Sequence, residues 1–134
     1  MREPVALLCP EPRLRRILRL ALDADGFAVS ESPDPSVRLV SPVLAVVADL
    51  DSLRWSWRTV TRRLVELGAE SSIPLLLISV VPIEPDHVGP NWLLDTLQPP
   101  FAPGTFIGRL RGLLARAVVR SGSDVAARGL DATP

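Results

Sequence analysis

The sequence has no lysine and no tyrosine, and only one cysteine and one histidine. A single Cys, Cys9, excludes an internal disulfide. Together with the lone His87 it leaves no Cys/His cluster for a structural zinc, so a reducing, cytoplasmic compartment is expected. Without lysine, no ammonium group is available to neutralise a phosphoryl oxygen. Excess charge is absent too: fifteen Arg balance fifteen Asp and Glu, which removes the general attraction to nucleic acid or anionic lipid. Long apolar runs are missing. The stretch from Ile73 to Val81 is interrupted by Pro74 and Ser79 and falls short of the roughly 20 residues that span a bilayer. At the start, Val5 to Cys9 is all that separates Pro4 from Pro10, too short for a signal-peptide core, so no export signal is expected.

What is present is the composition of a folded domain. The 134 residues are 47% apolar and 22% charged, which fits one compact unit with a single core. Val5 to Cys9 is a short unbroken apolar run, the pattern of a strand buried on both faces. After Pro12, a stripe at Leu14, Ile17, Leu18, Ala21 and Leu22 predicts a helix closed by Gly26, with Arg13, Arg15, Arg16 and Arg19 on its solvated side. Phe27 to Glu31 reads as a second strand, and Asp34-Pro35 opens a brief helix through Val40. Val43 to Ala48 is a third strand, running into Asp49-Leu50-Asp51-Ser52. Trp57, Val60, Leu64 and Leu67 predict a helix stopped by Gly68. Ile73 to Ile78 is a fourth strand. Prolines 82, 85 and 90 break the segment from Val80 to Asn91. Trp92 to Leu97 is a fifth strand. The stripe Phe106, Leu110, Leu113, Leu114 and Ala117 predicts a last helix to about Arg120, followed by a flexible tail over 121–134.

Short buried strands alternating with helices predict an α/β fold, a doubly wound flavodoxin-like parallel sheet in the order 2-1-3-4-5 with its fourth helix broken or shortened. In that order the first and third strands are neighbours at the reversal point. Cys9, Pro10, Glu11, Asp49 and Asp51 would converge there, where open α/β sheets bind ligands.

Four segments in this order resemble the receiver domain of response regulators (CheY-like), in an atypical, degenerate form, over Val5 to Arg116. Glu11-Pro12-Arg13-Leu14 resembles the start of the family's first helix after its acidic pair, and Asp49-Leu50-Asp51 the end of its third strand with the phosphoacceptor. Ile73 to Ser79 resembles the fourth strand with its terminal hydroxyl. Asp95 to Pro103 resembles the fifth strand and the Lys-Pro turn beyond it. The resemblance implies a receiver-like domain over residues 1–120. It also implies phosphoryl transfer to Asp49, with Mg²⁺ on carboxylates at Glu11, Asp49 and Asp51, and Ser79 as the switch hydroxyl. Several of the implied groups are absent. The acidic pair falls on Cys9-Pro10, the lysine on Gln98 or Pro99, and the switch aromatic on Thr96. Asp51 is expected to turn toward the start of the following helix.

Each candidate also has a structural reading. Asp49 would cap the turn after its strand, and Ser79 would be a small strand-end hydroxyl. Cys9 would be a buried, inert thiol, His87 a loop residue, and the helix-one arginines a solvated face. Trp55 and Trp57, two apart on a helix, would point in different directions, leaving one exposed. Trp55, Trp92 and Phe101 are the interaction candidates. The crevice loops lack the glycines that a flavin or nucleotide binder needs, and no nucleophile and base pair marks an ordinary enzyme. The sequence is therefore read as a signalling module with no catalytic residues and no cofactor. It would act through a protein partner or self-association, such as a homodimer, and not on nucleic acid or membrane. The alternative is a stand-alone phosphoacceptor in a phosphorelay, with Mg²⁺ and Asp49.

Overall fold

A computed structural model describes residues 3–32, 38–39, 42–69, 72–84 and 92–131, with residues 120–131 as backbone only. Of the expected brief helix at 34–40, residues 34–37 and 40 lie outside the described residues and 38–39 are not helical; His87 and residues 85–91 of the broken segment also lie outside them. The sheet comprises β1 (Val5–Leu8), β2 (Val29–Glu31), β3 (Ala45–Asp49), β4 (Leu75–Ile78) and β5 (Leu94–Leu97). The helices among the described residues are α1 (Pro12–Ala24), α2 (Leu50–Leu53), α3 (Val60–Glu66) and α4 (Pro103–Asp131). All pairings are parallel, in the order β2-β1-β3-β4-β5, as expected from the alternation of elements.

Period-two alternation along the strands divides the core into two layers. Val5, Leu7, Ala45, Val47, Leu76 and Ile78 face α1 and α4, where Leu18, Leu22, Phe106, Leu110 and Leu113 are buried against them. Ala6, Leu8, Val46, Ala48, Leu75 and Leu77 face α2 and α3, meeting Leu50, Leu53, Val60 and Leu64. Both faces are covered, which is why the central strands read as continuous apolar runs. Helix α1 ends in a Schellman arrangement: Gly26 has φ +85° and the Phe27 amide donates to Leu22 O at 3.0 Å. Helix α3 repeats it with Gly68 at φ +98° and the Ala69 amide on Leu64 O at 2.9 Å. A side chain would be strained at either glycine.

Three expectations are corrected. The helix expected from Trp57 begins at Val60, because Arg54 in the left-handed region (φ +58°) ends α2 and residues 55–59 are irregular. Trp55 and Trp57 are therefore not on a helix, and both pack half-buried against the same α2/α3 core. The last helix does not stop near Arg120. Its backbone continues through the expected tail to Asp131, since nothing before Pro134 blocks helical hydrogen bonding.

Candidate functional site

The register of the sheet builds the crevice. Leu8 pairs with Ala48, and Asp49 with Ile78, so Cys9, Asp49 and Ser79 emerge together at the carboxyl ends of the three central strands. Asp49 is 4% exposed and Cys9 fully buried. The Cys9 thiol donates to Asp49 Oδ2 at 3.9 Å and to Glu11 O at 3.5 Å. Burial pushes the Cys9 thiol up to about 11, and the negative charge of Asp49 adds to it. Burial also raises Asp49 above its ordinary range, opposed by the Ser52 hydroxyl and the amides of Ser52 and Asp51. Asp49 occupies the N-cap position of α2, where the Asp51 and Ser52 amides favour its charged form without completing a side-chain cap bond. Ser52 Oγ instead donates to the Asp49 carbonyl at 3.5 Å.

The other two carboxylates face elsewhere. Glu11 is the N-cap of α1, accepting from the Leu14 amide at 2.6 Å and the Arg13 amide at 3.1 Å. Those two amides hold its carboxyl below the ordinary carboxylate range. The Asp51 side chain turns away from the helix start, contrary to expectation, and reaches the loop after β4. Its Oδ2 accepts the Val80 amide at 2.8 Å, and its Oδ1 accepts the Ser79 hydroxyl at 3.4 Å. The structure thus joins Cys9 with Asp49, and Asp51 with Ser79, while Glu11 serves its own helix. Among the described residues, no three His, Cys, Asp or Glu side chains are grouped to hold a metal ion. The donor set does not fit Mg²⁺, which takes hard oxygen ligands: the side chain that β1 sets against Asp49 is a thiol, and the oxygens of Glu11 and Asp51 are used elsewhere.

Two residues at this edge escape the sequence reading. Arg15 is half-buried, its guanidinium donating to Cys9 O at 3.3 Å and Pro10 O at 3.4 Å. Its signal was helical spacing: 15, 18 and 22 share a face, and Leu18 and Leu22 are core. Gln98 donates from Nε2 to Val80 O at 2.9 Å. Beside it, Ser79, Val81, Ile83, Thr96 and Gln98 line a cavity of about 100 Å³. A larger one of about 580 Å³, lined by Val43, Leu44, Ile73, Leu114 and Val118 among others, lies at the amino ends of the strands, remote from Asp49.

The interaction candidates are half-buried. Trp55 and Trp92 pack on the α2/α3 core. Phe101 packs on the α1/α4 core, its ring centroid 6.3 Å from that of Phe106. No helix among the described residues is long and apolar enough to cross a membrane.

No protein-family model matches the sequence, and no curated protein does. Solved structures do. A response regulator receiver protein from Sinorhizobium medicae WSM419 superposes with a TM-score of 0.64 at 19% identity, covering 86% of this chain and 96% of that one. The receiver domain of the hybrid histidine kinase CckA gives 0.61 at 16% identity, covering 83% and 98%. Full-length FixJ from B. japonicum gives 0.66 at 18% identity, covering all of this chain and 70% of that one. With the sheet order and the position of Asp49 already in place, these likenesses identify the fold of this chain as that of a response-regulator receiver domain.

Proposed function

We propose that the chain is a cytoplasmic, receiver-like signalling module of the two-component type, with a degenerate phosphorylation pocket, that acts by binding another protein or a second copy of itself. The observation that carries this reading is the fate of the carboxylates. A receiver pocket needs several of them free to gather a cation around the acceptor aspartate. Here Glu11 is spent on two amides and Asp51 on an amide and a hydroxyl. Asp49 stands beside a neutral thiol. Phosphoryl transfer draws on charge placed in advance, and one lost group of this kind typically costs on the order of 3 kcal/mol. The charge of Asp51 reaches Asp49, but its oxygens are turned to Ser79 and Val80, and the sequence has no lysine. The module is accordingly not an enzyme and takes no cofactor.

The second reading, a phosphoacceptor in a phosphorelay, is favoured by Asp49 itself, which sits at the end of β3 with its Oδ2 against the weak thiol donor of Cys9. Mass spectrometry after incubation with Mg²⁺ and acetyl phosphate or phosphoramidate separates the two. The proposal expects the unmodified mass. One added phosphoryl group, lost in Asp49→Asn, would refute it.

A further inference from the structure

The loop leaving β4 is held from three sides. The Ser79 amide donates to Leu97 O at 3.2 Å, which ties the strand end to β5. The Val80 amide donates to Asp51 Oδ2 at 2.8 Å, and Gln98 Nε2 donates to the Val80 carbonyl at 2.9 Å. Ser79 Oγ closes the arrangement, donating to Asp51 Oδ1 at 3.4 Å while accepting the Val81 amide at 3.2 Å. Pro82 then restricts Val81 to extended backbone. Among the described residues, every backbone polar group from the Ser79 amide to the Val81 amide has an internal partner except the Ser79 carbonyl. A carboxylate accepting an amide makes one of the stronger hydrogen bonds available. Despite this, Val80 and Val81 are 55% and 59% exposed, so the bonds and not apolar burial fix the loop.

We infer that Asp51 is an internal ligand of this loop, a positioning residue that fixes Ser79 and Val80 in one arrangement whatever the state of Asp49. The inference rests on the proposed degenerate pocket and adds its regulatory consequence. A hydroxyl free to turn toward a group on Asp49 could report on that group. In this chain both hydrogen-bonding roles of Ser79 Oγ are already filled. The loop is a constant feature of the surface, and any control over partner binding must come from elsewhere in the molecule.

Amide hydrogen exchange by NMR on the ¹⁵N-labelled full chain tests this. Asp51→Ala is expected to speed exchange at Val80 by tenfold or more, with the β4 amides of Leu76 and Leu77 unchanged. Asp51→Asn, which keeps an acceptor oxygen, is expected to retain most of the protection. Gln98→Ala, outside the carboxylate, gives a smaller loss if Asp51→Ala proves too unstable to study. Unchanged Val80 exchange in Asp51→Ala, or in Gln98→Ala where that variant stands in, overturns the latch while leaving the pocket reading intact. Addition of Mg²⁺ and beryllofluoride to the wild type is expected to leave the Ser79, Val80 and Val81 resonances in place. Binding at Asp49 without movement at Val80 would sink the degenerate pocket alone, whereas binding that also shifts Val80 would sink both.

Discussion

Replacing Cys9 with aspartate puts a second carboxylate where the structure has a neutral thiol 3.9 Å from Asp49 Oδ2. Two unit charges at that separation repel by about 4 kcal/mol at an effective dielectric constant near 20. The pair can escape by sharing a proton, but holding one carboxyl protonated at pH 7 against an ordinary value of about 3.9 also costs roughly 4 kcal/mol. Either way, Cys9→Asp loses about 4 kcal/mol in EDTA. For a chain of this size that corresponds to a melting temperature roughly 10–20 °C below wild type. A divalent cation relieves the repulsion by binding the new pair, and Mg²⁺ at a hundredfold excess over its dissociation constant returns about 2.7 kcal/mol. The assay is scanning calorimetry of both proteins in EDTA and in MgCl₂. Wild type is expected to melt at one temperature in both buffers, and Cys9→Asp to melt low in EDTA and recover most of the loss with Mg²⁺. A variant that melts like wild type in EDTA would mean that position 9 does not face Asp49. A wild-type protein stabilised by Mg²⁺ would mean that the crevice already holds a cation without a second acid.

Three further outcomes follow from the same geometry. With its thiol raised from 9.0 to about 11, Cys9 has roughly a hundredfold less thiolate at neutral pH, so iodoacetamide is expected to label the native protein at least that much more slowly than the urea-unfolded chain, and equal rates would refute its burial. Asp49 has a folded value raised above its ordinary 3.8, so the stability it contributes is present below the unfolded value and lost as pH rises through the folded one; Asp49→Asn should therefore gain stability in denaturant melts at pH 7 and show no gain near pH 3, and equal stability at pH 7 would contradict the assignment. Glu11 is shifted the other way by the Leu14 and Arg13 amides, so its contribution is present above its unfolded value and lost as pH falls through the folded one; Glu11→Ala should lower the urea midpoint at pH 7 but not in acid, and a Mg²⁺-dependent midpoint in wild type that disappears in Glu11→Ala would show a ligand instead of a cap.

Much of the fold is legible in the sequence because the central strands are covered on both faces and so appear as unbroken apolar runs at 5–9, 43–48 and 75–78. Gly26 and Gly68 mark helix ends where only a positive φ completes the turn. The failures share a cause: the deciding contact is remote, or breaks a local rule. Arg54 takes a left-handed conformation without being glycine, so the helix register extrapolated back to Trp57 was false and both tryptophans could reach one core. Arg15 looks like its neighbours Arg13 and Arg16, yet its helical phase carries it over the Cys9 and Pro10 carbonyls. Gln98, one of the two positions on which the resemblance places a lysine, carries a side-chain amide whose partner, Val80, lies in the loop leaving the neighbouring strand β4.

Glu11, Asp49 and Asp51 read alike as strand-end acids, and composition cannot rank them. What separates them is where their oxygens are used. For Asp51 to bind a cation it would have to surrender the Val80 amide and the Ser79 hydroxyl, and a charged hydrogen bond of that kind is worth roughly 1.5–3 kcal/mol. Glu11 would leave two amides at the start of α1 without an acceptor. Glu11 and Asp51 are therefore already stabilising elements of the fold, while Asp49, beside the Cys9 thiol and the Ser52 hydroxyl, sits in a buried position where its own ionisation is disfavoured. On the proposed reading, a site left with one buried carboxylate beside a thiol gathers no cation, and the surface around it is what a partner would read.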